Sequence, residues 1–174
     1  MEKAQGFVYE KRHVSAFDVI GFSEMERSGG KLYSEIREDG RWEILKAMNS
    51  NNKTIFGIAS DDACPESCDR RTDICLSGRC YRYTMGITND ESYIANPAYS
   101  ELFKFHIKES DWIVFKFDEN NGHGELWGND PYKMIAELGH EYNSDLSIHI
   151  DVWHDKYTGE HDGINSEFWM PING

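Results

Sequence analysis

One carboxylate and one tryptophan share a face of the strand predicted at the end of the chain. The segment Ser166–Ile172 is mostly apolar, and Glu167 is its one charged residue. Alternate side chains of a strand point to opposite faces, so Glu167 and Trp169 point one way and the intervening apolar residues point the other. An unpaired carboxylate is costly to bury. Glu167 is therefore either solvated or matched by a cationic or hydrogen-bonding partner.

The strand predicted over residues 147–153 supplies neighbours for this carboxylate. If its aliphatic residues pack beneath a helix, then His149, Asp151 and Trp153 face the other way, together with Glu167 and Trp169. We expect Trp127, which lies just before the helix predicted to begin at Asp130, to reach the rim of this sheet face. Tryptophan rings attract cations by roughly 0.5–2 kcal/mol per contact, and a carboxylate adds Coulombic attraction. The pattern suits aromatic or lipophilic cations, but an exposed sheet face with a solvated Glu167 is the open alternative.

Composition narrows the class of protein. The chain has 174 residues, of which 39% are hydrophobic and 13% aromatic, and its net charge is −13. These values indicate one globular domain, with no direct binding of nucleic acid because an acidic chain does not attract phosphate backbones. No apolar run reaches the length of a membrane span and no signal-peptide pattern is present. We therefore expect a cytoplasmic location without membrane contact.

Two groups of residues could bind metal. The cysteines have the spacing C-x3-C-x6-C-x4-C, which lacks the paired C-x2-C knuckles of common zinc sites, so we interpret the segment as a loop with reduced thiols and keep zinc as the alternative. Those cysteines are Cys64, Cys68, Cys75 and Cys80. The second half also has crowded histidines and acids without a known ligand spacing, and we expect no metal and no cofactor there. That set is His149, Asp151, His154, Asp155, Glu160, His161 and Asp162.

Hydrophobic periodicity predicts the order strand–helix–strand–strand, twice. The helical stripe over residues 30–48 is divided at Asp39–Gly40, and Asp130 followed by Pro131 predicts the start of a second helix. The strands are predicted at 6–23 with a break, at 54–60, at 81–87, at 102–117 in two pieces, at 147–153 and at 167–172. This order predicts an α+β fold in a single domain, with repeats at about 6–90 and 100–173. It also predicts a helix over antiparallel strands in each half and a groove between the halves.

Five segments of the chain resemble strands of the GyrI-like effector-binding domain, which is related to the ligand-sensing domains of AraC- and MerR-type regulators. The terminal segment resembles the family's closing motif, a glutamate followed by alternating apolar residues and often Pro-Ile. The segments are Phe17–Phe22, Ile55–Ile58, Tyr83–Ile87, Trp112–Phe115 and Glu167–Ile172. Together they span nearly the whole chain.

The resemblance implies a two-repeat fold with a ligand groove between the halves and a function in small-molecule binding. It implies that Glu167 is the pocket glutamate for lipophilic, often cationic, compounds. We expect ligand contacts from Glu167, Trp169, Trp153, Asp151, Tyr83, Phe115 and Trp127. Such a module would act as a sensor linked to transcription regulation, through a separate DNA-binding domain or a protein partner, or would sequester drugs.

Two alternatives remain open at the level of sequence. Some members of the family look like hydrolases of reactive genotoxins, in which case Glu167 would be catalytic and would activate water. No nucleophile–base pair is visible to support other hydrolytic chemistry. Other members protect DNA gyrase by protein contact, and the acidic composition would suit basic partners.

Overall fold

Nine strands and four helices make up the part of the chain that the structure describes. This computed structural model describes residues 2–26, 30–50, 54–61, 81–154 and 165–174. The strands are β1 (Glu2–Ala4), β2 (Phe7–Val14), β3 (Phe17–Glu26), β4 (Ile55–Ser60), β5 (Tyr81–Thr88), β6 (Phe103–Ile107), β7 (Ser110–Phe117), β8 (Ile148–Trp153) and β9 (Ser166–Ile172). The helices are α1 (Lys31–Glu38), α2 (Arg41–Ala47), α3 (Glu119–Gly128) and α4 (Pro131–Glu137). The predicted α+β class is confirmed, with the order strand–helix–strand–strand in β3 to β5 and again in β7 to β9.

The chain divides into two compact units. The first unit comprises Met1–Phe17 and Ile107–Gly174, and its strands are ordered β1-β2-β7-β9-β8. The second unit comprises Asp18–His106, with the order β4-β5-β3-β6. Both ends of the chain therefore meet in the first unit, where β2 and β9 each pair antiparallel with β7.

The core of the first unit lies on one face of its strands, against α3 and α4. Phe115 and Phe168 lie opposite each other on β7 and β9, so they project to this same face. The buried cluster consists of Phe7, Ile113, Phe115, Phe117, Leu126, Met134, Ile135, Phe168, Met170 and Ile172. Removing these apolar side chains from water is the main stabilising term for this unit, at roughly 25 cal/mol per Å².

The two helices of the first unit differ in how clearly the sequence marks them. α4 begins as predicted, because the Asp130 side chain accepts hydrogen bonds from the two backbone amides that follow Pro131. α3 is not predicted from the sequence because it contains three glycines. Gly122 lies close to Phe117, since a Cβ there would be 2.5 Å from the phenylalanine ring, whereas a Cβ on Gly124 would contact nothing within 4 Å.

In the second unit, α1 and α2 are separated where the sequence predicts a break. Gly40 has φ +86°, a left-handed conformation that favours glycine. Before α1, the buried Glu26 accepts a 2.6 Å hydrogen bond from the backbone amide of Leu32. The other oxygen of Glu26 has no hydrogen-bond partner within the described part of the chain. Burial raises the pKa of this carboxyl above its ordinary value.

Two sequence predictions concern membranes and metals. Within the described ranges, no helix combines the length and apolarity needed to cross a bilayer. The four cysteines on which the zinc alternative depends lie outside the described residues, as do Asp155, Glu160, His161 and Asp162. The metal prediction for these positions therefore stays a prediction.

Candidate functional site

Strand pairing in the first unit gathers charged residues on the face opposite the helix-covered core. Lys116 of β7 lies opposite Glu167 of β9, and Arg12 of β2 lies opposite Trp112 of β7. Residues directly opposed in antiparallel strands project to the same face, and so do residues two positions apart on one strand. We call the group Glu10, Arg12, Lys116, Glu167 and Trp169 the Glu167 site.

Glu167 is held at both oxygens by Arg12. Nη1 of Arg12 donates to Oε2 and Nη2 donates to Oε1, each over 3.0 Å, so the guanidinium and the carboxylate form a bidentate ion pair. The Glu167 side chain is 5% exposed and that of Arg12 is 29% exposed. Paired, charge-assisted hydrogen bonds of this geometry are among the strongest polar contacts in proteins. The partner that a buried Glu167 requires is thus an arginine of the same chain.

Trp169 completes the surroundings of the ion pair. Its indole Nε1 donates to Oε2 of Glu167 over 2.7 Å, and its ring centroid lies 5.2 Å from the guanidinium carbon of Arg12. The ring itself is packed edge-on between Trp112 and Phe17, at centroid distances of 5.9 and 6.5 Å. Trp169 therefore supplies a hydrogen bond to the anion and a ring face to the cation, in a position fixed by its aromatic neighbours.

A second carboxylate, that of Glu10, pairs with Arg12 and with a second cation, Lys116. Nε of Arg12 donates to Oε1 of Glu10 over 2.7 Å, Nη2 contacts the same oxygen, and Nζ of Lys116 lies 3.0 Å from Oε2 of Glu10. Two carboxylates thus face two cations, and the four groups sum to zero charge. His154 adds a titratable group, with Nε2 3.8 Å from Oε2 of Glu167.

The contacts of Glu167 determine its protonation. Burial opposes ionisation of this carboxyl, but the side chains of His154, Arg12 and Trp169 outweigh burial and lower its pKa from 4.5 to about 2. Glu167 in turn raises the pKa of Arg12, against the opposing effect of burial. Both groups are therefore charged at neutral pH. A carboxyl with so low a pKa is also a weak base.

The predicted orientation of β8 is wrong. Ile150 lies opposite Trp169 and Val152 lies opposite Glu167, so the aliphatic residues of β8 share the face of the Glu167 site. His149, Asp151 and Trp153 consequently lie on the helix-covered side. The physical reason is that both faces of β8 are buried, since Val152 is 1% exposed and Asp151 is 6% exposed. Apolar alternation therefore does not identify the face that the helices cover.

Four of the predicted ligand-binding residues, namely Phe115, Trp127, Asp151 and Trp153, lie on that helix-covered side. Oδ1 of Asp151 is 3.1 Å from Nε2 of His123 on α3, and the indole of Trp127 reaches the same nitrogen over 3.3 Å. The Trp127 ring also packs edge-on against Phe168 at 5.4 Å, and Phe115 belongs to the core cluster there. The structure thus brings Asp151 and Trp127 together, but on the sheet face opposite to Glu167.

Tyr83 belongs to the second unit, where it is buried on β5 with its ring 6.5 Å from that of Tyr81. Three charged residues of the Glu167 site were not predicted from the sequence: Arg12, which pairs with Glu167, Glu10, which pairs with Arg12, and Lys116, which pairs with Glu10. Their signal is the alternation of Glu10 and Arg12 on a predicted strand. That signal becomes informative only when the pairing of β2 with β7 is known.

Comparison with known proteins identifies the fold. No protein-family model matches the chain, and no curated protein matches it. Among solved structures, SAV2435 bound to tetraphenylphosphonium is 14% identical with a TM-score of 0.64, and 96% of this chain and 94% of that chain are covered. A putative bacterial transcription regulation protein from Staphylococcus aureus MU50 is 16% identical with a TM-score of 0.62, covering 97% of this chain and 100% of that one. The EcmrR C-terminal domain is 9% identical with a TM-score of 0.56, covering 96% and 98%. These values show that the chain shares its α+β fold, as predicted in class from the sequence, with these three proteins.

Proposed function

We propose that this chain is a GyrI-like effector-binding module that binds small lipophilic molecules, aromatic or cationic, at the Glu167 site. The observation that carries the proposal is the combination of a buried carboxylate with the face of Trp169, because these two groups already bind a planar cation, the guanidinium of Arg12. A carboxylate and a tryptophan ring together favour positively charged, lipophilic compounds. The fold, shared with a protein whose structure holds tetraphenylphosphonium, supports the same class of ligand.

The biological role we propose is a sensor. The fold is also that of the C-terminal domain of EcmrR and of a putative transcription regulation protein, which supports a role as an effector domain acting with a DNA-binding domain or a protein partner. Without such a partner, the chain would instead sequester a toxic compound. With a net charge of −13, this chain itself is a poor ligand for nucleic acid. Its proposed location is the cytoplasm.

The electrostatics of Glu167 favour binding over hydrolysis. A general base works best when its pKa lies near the working pH. The pKa of Glu167 is lowered to about 2, since the carboxylate is already satisfied by His154, Arg12 and Trp169. Activation of water by this group is therefore weak while Arg12 remains in place. We propose that compounds bind without turnover.

Titration calorimetry tests the proposal. The ligands are tetraphenylphosphonium and a rhodamine, and the proteins are wild type, Glu167→Gln and Glu125→Gln. The last is a matched control, because Glu125 is an exposed residue of the same unit and its substitution removes the same charge. We expect binding by wild type and by Glu125→Gln, and at least tenfold weaker binding by Glu167→Gln. Equal binding by all three proteins, or no binding of either compound, would refute the proposed site.

A further inference from the structure

We infer that Arg12 is the specificity-determining residue of the Glu167 site: it is an internal cation that a positively charged ligand has to displace, while a neutral ligand does not. This inference rests on the proposed function. Arg12 makes each contact that a bound cation would be expected to make. It bonds both oxygens of Glu167 and lies 5.2 Å from the centroid of the Trp169 ring. A second cation cannot occupy those positions at the same time.

The surroundings of Arg12 allow such a displacement. Glu10 binds Nε of Arg12 over 2.7 Å and is itself fixed by Lys116 at 3.0 Å. The arginine side chain is 29% exposed, compared with 5% for Glu167. An arginine that leaves Glu167 towards solvent therefore keeps a counter-ion, and the buried Glu167 receives the ligand cation in its place. Both carboxylates stay paired, which avoids the large penalty of an uncompensated buried charge.

The charge balance explains why the effect is selective. With Arg12 in place, the two carboxylates and two cations of the site sum to zero, and a monovalent cation gains little long-range attraction. When an uncharged side chain replaces Arg12, the remaining groups Glu10, Lys116 and Glu167 sum to −1. Attraction in a partly buried site is weakly screened, so this change favours cations strongly. The affinity of a neutral ligand does not depend on whether the net charge of the site is zero or −1.

Arg12 also offers a specific contact to neutral ligands. A guanidinium carries five N–H donors, of which four point at Glu10 or Glu167. Within the described part of the chain, the second hydrogen of Nη1 has no acceptor. A neutral aromatic molecule with a strong oxygen acceptor suits this donor and the adjacent tryptophan ring. A neutral acceptor can thus bind the wild-type site with Arg12 in place, whereas a cation has to displace it.

Two probes that share a phenyl-phosphorus framework test this inference. Tetraphenylphosphonium carries one positive charge, and triphenylphosphine oxide is neutral with a strong acceptor oxygen. Their dissociation constants are measured for wild type, Arg12→Met, Arg12→Lys and Arg12→Gln. We expect Arg12→Met to bind tetraphenylphosphonium at least tenfold tighter than wild type and the oxide no tighter. Arg12→Lys retains a competing cation and is expected to stay within about threefold of wild type for the phosphonium.

The outcomes separate this inference from the proposed function. If wild type binds the phosphonium and Arg12→Met binds it no tighter, Arg12 does not compete and the inference is wrong, while the proposed function stands. Equal gains for both probes would also overturn it, because they indicate relief of a steric block. If no protein binds either probe, both proposals fail. Should Arg12→Met not fold, as judged by thermal unfolding, Arg12→Gln is expected to show the same change in selectivity.

Discussion

The Glu167→Gln substitution tests the electrostatics of the site through the pH dependence of stability. The pKa of Glu167 is lowered from 4.5 to about 2 in the folded chain, despite its burial, by contacts with His154, Arg12 and Trp169. A carboxyl whose pKa is lower in the folded state binds fewer protons there than in the unfolded state. Its stabilising contribution is therefore complete above about pH 5 and is lost as the pH falls through 4.5 towards about 2.

The size of this contribution follows from the two pKa values. A difference in pKa between the folded and unfolded states corresponds to about 1.4 kcal/mol per pH unit. A fall from 4.5 to about 2 thus corresponds to about 3 kcal/mol of unfolding free energy. Of this total, about 1 kcal/mol is lost by pH 4 and about 2 kcal/mol by pH 3, because protonation of the unfolded chain begins first. Glutamine does not titrate and shows no such loss.

Urea unfolding of wild type, Glu167→Gln and the exposed control Glu125→Gln at several pH values between 7 and 3 measures this effect. Other carboxylates titrate in all three proteins, so the informative quantity is the difference in unfolding free energy between each variant and wild type. For Glu167→Gln this difference is expected to be largest at pH 7 and to shrink by about 2 kcal/mol by pH 3. For Glu125→Gln we expect a change below about 0.5 kcal/mol. A difference for Glu167→Gln that stays constant with pH would refute the charged, paired state of this residue.

Four further substitutions test a second contact of Glu167, the packing of α3 and the buried Glu26. Trp169→Phe keeps an aromatic ring but removes the 2.7 Å hydrogen bond to Glu167, and we expect urea unfolding to show a loss of about 1.5–3 kcal/mol. Gly122→Ala places a methyl group 2.5 Å from an aromatic ring at the end of β7 and should lower the melting temperature, while Gly124→Ala on the same helix meets open space and should raise stability by up to about 1 kcal/mol. Glu26→Gln removes a buried carboxyl whose pKa is raised, so the folded wild type holds its proton more tightly and loses stability as the pH rises above 4.5. Urea unfolding should therefore show that the unfolding free energy of Glu26→Gln, relative to that of wild type, is higher at pH 7 than at pH 4.

Local signals in the sequence predicted most elements of the fold. The turn at Asp39–Gly40 and the start at Asp130–Pro131 each depend on one or two residues with strong conformational preferences, and both match the structure. α3 could not be predicted in the same way. Its three glycines disfavour a helix by propensity, and Gly122 is present because the helix packs against Phe117, a contact that only the folded chain reveals.

The site was less predictable than the fold because its key contact joins distant parts of the chain. Glu167 is visible as the one charge in an apolar strand, whereas its partner Arg12 lies 155 positions away on β2. The register of β2 on β7 brings the two together, and register depends on the whole sheet. The wrong face assigned to Asp151 has a related cause, since β8 is buried on both faces and its alternation carries no directional information.

The Arg12–Glu167 pair links the stability of the empty protein to the selectivity of the proposed site. The fall in the pKa of Glu167, in which its contacts outweigh burial, corresponds to a net stabilisation of about 3 kcal/mol, and Arg12 contributes to it through hydrogen bonds and Coulombic attraction. A ligand cation that replaces Arg12 restores the pairing of Glu167, so it gains little stability beyond that of the empty wild type. Without Arg12 the buried carboxylate of Glu167 has fewer partners, and the same ligand restores its ion pairing. Tetraphenylphosphonium should therefore raise the melting temperature of Arg12→Met more than that of wild type at equal concentration. The opposite order would indicate that Arg12 helps to bind the cation instead of competing with it.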